Sequence, residues 1–153
     1  MKKKKIIPAI IAVVLFGFIG NAQDNNTALA LRRTIMVISV ELLQKSMPVK
    51  TTKEDLNKEL IEIGVSREGI IFLDKTFELY RKEVSTEEIL SSYEGKETHE
   101  VVKFLNNGGR NVFGDMDLSD KKEHPLWLKG ILRVLAEVMN IVINTCNALP
   151  WPC

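Results

Sequence analysis

The sequence predicts an all-α, single-domain bundle of about five to six helices built around a hydrophobic central C-terminal helix. Three observations carry this expectation. Apolar residues recur with a helical period of about 3.6 in successive segments. Ser, Thr, Gly and Pro stand at the joints in cap and stop positions. The last long segment is apolar apart from one narrow polar stripe.

The first predicted helix runs over residues 27–46 after a polar leader, residues 24–26. Leu31, Ile35, Ile38 and Leu42 form one apolar stripe and Leu29, Met36, Val40, Leu43 and Met47 a second, so this helix should touch neighbours on two sides. Its β-branched run, residues 35–40, also suits a buried strand. Pro48 ends the segment under either reading.

Thr51 and Glu54 have capping-box spacing in front of Leu56, Leu60 and Ile63, and Gly64 supplies a stop. Ser66 caps the next helix, where Ile70, Leu73, Phe77, Tyr80 and Val84 fall within an arc of about 80°. Ser85 with Glu88 repeats the capping-box spacing and opens a short helix carrying Ile89, Leu90 and Tyr93, which Gly95 breaks. Residues 98–106 read as another short helix, with Val101, Phe104 and Leu105 inward and Gly108 as its stop.

Residues 107–120 contain three glycines and no lasting period, and form the longest predicted loop. Pro125 suits the first turn of the final helix. There Lys129, Arg133, Glu137, Asn140 and Asn144 project into an arc of about 80°. The stripe is expected to be solvated, with Arg133 and Glu137 paired one turn apart. The remaining apolar circumference makes this helix the expected centre of the bundle.

The N-terminus carries a separate signal. Four lysines, residues 2–5, precede the apolar residues 6–19 and the small-residue run Gly20, Asn21, Ala22, the layout of a secretory signal peptide. An apolar run of 14 residues falls short of the roughly 20 that span a bilayer. The expected organisation is therefore a removed signal peptide, residues 1–22, and a helical domain, residues 23–153. The membrane is met only through the signal peptide before cleavage, and the mature protein is periplasmic or extracellular.

Residues 1–22 hold four of the 21 basic residues and none of the 20 acidic ones, leaving 17 against 20, or minus 3. That balance, with no basic cluster longer than two residues after processing, speaks against nucleic acid as a partner.

Cys146 and Cys153 are the only cysteines, and Pro150 and Pro152 lie between them. In an oxidising compartment they are expected to pair within the chain. Closing that eight-residue loop stabilises by about 2 to 2.5 kcal/mol through chain entropy. An intermolecular bridge is the alternative.

No other motif completes a chemical site. His99 and Glu100 begin a zinc-protease pattern, but Lys103 stands where the second histidine belongs. Residues 115–123 are acidic at alternate positions like a calcium loop, yet Asp120 replaces the turn glycine and Leu126 the closing glutamate. His99 is expected at the surface and His124 at a helix entrance. The sequence implies no cofactor, metal or catalytic constellation.

Arg32 and Ser39 project between the two stripes of the first helix, and Trp151 lies in the tail. These three are the candidate partner or ligand contacts, with Trp127 assigned to core packing. The leading functional expectation is an exported protein that binds another protein, inhibitor or immunity-type neutralisation being one form. The alternatives are a carrier of a small apolar or anionic ligand held near Arg32, and a hydrolase using carboxylates such as Glu97 and Glu100.

Overall fold

The computed structural model describes residues 24–107, 118 and 123–148, and six α-helices account for most of them: α1 (Asp24–Ser46), α2 (Lys53–Ile63), α3 (Arg67–Arg81), α4 (Thr86–Ser92), α5 (Lys96–Asn106) and α6 (Leu126–Ala148). The all-helical bundle expected from periodicity is the observed architecture. No described helix is long and apolar enough to cross a membrane. The signal segment, the glycine-rich loop apart from Asn107 and Leu118, Trp151 and Cys153 lie outside the described residues. So does the side chain of Cys146, which leaves the expected disulfide there too.

The hub is α1. It packs against α6, α3, α4 and α5, whereas α6 packs chiefly against α1 and α5. The expectation of a central C-terminal helix is therefore corrected. All of residues 34–40 except Val37 are buried, so the β-branched run is a helix enclosed on several sides and not a strand. Its polar members permit this because they close on their own turn. Thr34 Oγ1 donates to the Ala30 carbonyl at 2.8 Å and Ser39 Oγ to the Ile35 carbonyl at 2.7 Å, leaving no hydroxyl proton unmet in the interior.

On α6 the polar stripe also departs from expectation at one end. Lys129 is buried, while Arg133, Glu137, Asn140 and Asn144 are exposed. Arg133 reaches the Leu118 carbonyl at 3.1 Å, and no ion pair joins it to Glu137 among the described residues. The Leu118 carbonyl thus competes for the guanidinium that i,i+4 spacing assigned to Glu137. Trp127 is half-buried against the core, as expected.

Local signals place most joints. Ser66 and Ser85 accept from the amides of Gly69 and Glu88 at 3.0 and 3.2 Å, as N-caps do. Gly64, at φ 92°, ends α2: its amide bonds to Ile61 and that of Val65 to Leu60, the paired bonds of a Schellman motif. The cap of α2 is Thr52 and not Thr51, with Asp55 N donating to Thr52 Oγ1 at 3.1 Å. The reason is the preceding turn, which takes the Thr51 amide to the Pro48 carbonyl and moves the helix start on by one residue. On α3 the buried face centres on Phe72, Leu73, Thr76 and Phe77, rotated from the expected arc because α1, α2 and α5 all pack against this helix.

Candidate functional site

A cleft of about 360 Å³ opens where the end of α3, the whole of α4 and the start of α5 meet. Leu79, Val84, Ile89 and Tyr93 supply its apolar surface, and three lysines and four glutamates supply its polar surface. The helices that carry it are set by caps: Ser85 starts α4, and Gly95 starts α5.

Gly95 is required there by two independent constraints. Its φ of 77° lies in the left-handed region. A Cβ at this position would also stand 3.0 Å from Arg32 Cβ on α1. The neighbouring Arg33 fixes the other side of the joint: its Nε donates to the Tyr93 carbonyl at 2.7 Å and an NH1 proton to the Leu90 carbonyl at 3.0 Å. A guanidinium on terminal carbonyls satisfies acceptors that a helix end leaves open and complements its negative pole. The hub helix thus positions the cleft through two adjacent arginines, one packing and one hydrogen bonding.

Inside the cleft the cations are already matched. Glu78 takes Lys75 at 3.4 Å and Lys82 at 3.0 Å, and Lys96 meets Glu94 at 2.8 Å. The Lys82 hydrogen bond, with Lys75 nearby, holds the Glu78 carboxyl below its usual range; Lys96 does the same for Glu94. Glu97 accepts a hydrogen bond from Tyr93 Oη at 2.9 Å, and Thr98 Oγ1 lies 3.2 Å from the same hydroxyl. Burial raises the Tyr93 phenol well above the usual tyrosine range, so it stays protonated and donates. Glu88 has no cationic partner among the described residues. The cleft therefore presents an apolar floor with an acidic excess concentrated on Glu88 and Glu97.

Of the residues singled out from sequence, Arg32 and Ser39 do not meet here as ligand contacts. Arg32 is half-buried, donates Nε to its own helix at the Ala28 carbonyl, 3.2 Å away, and packs its stem against Gly95. Burial pulls its pKa below the ordinary arginine value. Ser39 is fully buried and committed to Ile35. Glu100 is exposed and Glu97 is held by Tyr93. His99 is half-buried with Nδ1 enclosed, not on the surface.

His124 departs furthest from expectation. It is buried, with Nδ1 2.8 Å from Glu59 Oε2 on α2. Sequence reasoning missed this pair, which is 65 residues apart, and missed Arg33, whose partners lie about as far along the chain. The acids and lysines of the cleft are present between Lys75 and Glu97, but no period in that stretch sets them on one surface. Comparison with family models, curated proteins and solved structures finds no match to this chain.

Proposed function

We propose that the protein is exported and acts by binding another protein, using the cleft between α3, α4 and α5. The observation that carries this reading is the pairing of an apolar floor with an acidic excess at Glu88 and Glu97. Buried apolar contact supplies affinity, while a charge left unmatched at the rim selects a partner of opposite sign. The partner segment is accordingly an apolar polypeptide stretch bearing a lysine or arginine. Export rests on the signal-peptide layout of residues 1–22, and in an oxidising compartment Cys146 and Cys153 close as a disulfide.

Capture from an extracytoplasmic extract, with the purified protein and its Glu88→Lys variant side by side, tests the reading. Glu88 is exposed but lies in the first turn of α4, where a lysine opposes the positive helix end, so matching helical circular dichroism of the two proteins is the control that ties lost capture to charge. A partner retained by the parent and lost by Glu88→Lys is the expected result. Equal capture by both, or reproducible absence of any protein partner, refutes this use of the cleft.

A further inference from the structure

We propose that the mature chain begins at Gln23 and that this residue closes on itself as pyroglutamate, a covalent modification that gives the hub helix an uncharged start. The inference rests on the export reading, in which residues 1–22 are removed. Gly20 and Ala22 stand at the small-residue positions that a signal peptidase reads, which puts the cut after Ala22 and makes Gln23 the new terminus. Gln23 lies outside the described residues, but the helix that follows it does not. α1 begins at the next residue, Asp24, and Thr27 and Ala28 are already buried. The new terminus therefore stands directly ahead of a helix whose first turn is held in the bundle.

An N-terminal glutamine carries a nucleophile and its target in one residue. The free α-amine attacks Cδ of the side-chain amide and closes a five-membered lactam. The N–Cδ bond forms and the Cδ–Nε2 bond breaks. Nε2 departs as ammonia, taking the proton that the attacking nitrogen gives up. No oxidant, reductant or second substrate is needed, and ring closure within one residue has the proximity that such attack requires. An α-amino group titrates at about pH 8, so part of it is the free base at neutral pH.

The position both favours the reaction and gains from it. A helix opens with amide N–H groups that have no partner and with the positive end of its dipole. An ammonium placed against that end is repelled, which enlarges the share of free base able to attack. Cyclisation then removes the charge and adds a lactam carbonyl, a neutral acceptor next to the open donors. Because α1 packs against α3, α4, α5 and α6, relief at its start bears on the hub of the bundle and not on a peripheral element. The ring also removes the primary amine on which aminopeptidases act, at the kind of chain end where proteolysis concentrates.

The test starts from the full chain expressed in an exporting bacterial host and recovered from outside the cytoplasm at neutral pH in the cold. Intact mass after reduction of the cysteines, with sequencing of the N-terminal peptide, should show residues 23–153 lighter by one ammonia and refractory to Edman degradation. A chain that begins at Gln23 with its full mass and a free amine, or that begins at another residue beyond the signal segment, overturns the proposal and leaves export standing. Retention of residues 1–22 instead overturns the signal-peptide removal on which the proposal rests. Gln23→Ala cannot cyclise; with the same cut shown by mass, it should keep its ammonium and melt about 1–4 °C lower. Equal midpoints overturn the gain assigned to α1.

Discussion

The first and last helices are each 23 residues long, and comparing them shows how little mean hydropathy says about position. α6 is the more apolar and has the cleaner polar stripe, yet it lies at the side of the described bundle with Leu126 and Ile141 exposed. α1 contains Arg32, Arg33, Thr34 and Ser39 and is nevertheless the hub. Hydroxyls that bond back to the preceding turn behave toward neighbours as small apolar groups, and an arginine can bury its stem while its head finds carbonyls. Enclosure on several sides requires that every polar group be satisfied locally or by a neighbour. It does not require that such groups be absent.

Truncations at a buried position of α1 and an outward position of α6 should test this comparison most sharply. Met36 on α1 is fully buried, with Thr76 Oγ1 3.5 Å from its sulfur. Met36→Ala should cost about 2–4 kcal/mol in urea denaturation, from lost transfer energy and the cavity left behind. Ile141→Ala, on the exposed side of α6, should cost less than about 0.5 kcal/mol. Similar losses at both sites would mean that the face of α6 carrying Ile141 is covered and not exposed.

Two glycines give opposite signs. Gly95→Ala forces a side chain into left-handed backbone and against Arg32 Cβ, and should destabilise by about 1–2 kcal/mol. Gly130 sits in α6, and a Cβ there would meet nothing within 4 Å. Gly130→Ala should therefore stabilise by about 0.5–1 kcal/mol through helix propensity. Thermal midpoints of the two variants against the parent decide the matter.

The smallest effect is expected where α2 packs on α3, away from the hub. Asp74 and Asn57 each leave an Oδ1 enclosed without a donor. Burial raises the Asp74 carboxyl above its usual range against the opposing pull of Lys53 and the Asn57 hydrogen bond. A raised folded-state pKa means that the folded protein holds this proton more tightly than the unfolded chain. Stability is therefore lost as pH climbs from the ordinary aspartate value of about 4 through the raised one. Asp74→Asn removes that slope and adds an amide that can donate to Asn57. Its urea midpoint should exceed the parent's at neutral pH and lose that advantage below about pH 4; an advantage independent of pH would locate the cause elsewhere.

Joints governed by neighbouring residues are legible in the sequence. Ser66, Ser85 and Gly64 act within three or four positions, so their residue types and spacing suffice. Thr52 shows the limit of that reasoning, since both Thr51 and Thr52 suit a cap and the Pro48 turn chooses between them. Arg32 stands out as an oddity of the first helix, but the hydrogen bonds that fix the cleft belong to Arg33, whose carbonyl partners stand about 60 residues away. No periodicity reports such a partner.

The sequence by itself determined that the protein is helical, where most of its joints fall and that its apolar faces are enough for one bundle, because period, cap and breaker are properties of short stretches of chain. Only the tertiary structure decided which helix is central, that Glu88 and Glu97 share a cleft floored by Tyr93, and that His124 turns inward to Glu59. Those outcomes depend on which segments compete for the same space and the same hydrogen-bond partners. That competition is settled in three dimensions, between residues whose separation in sequence carries no information about their distance.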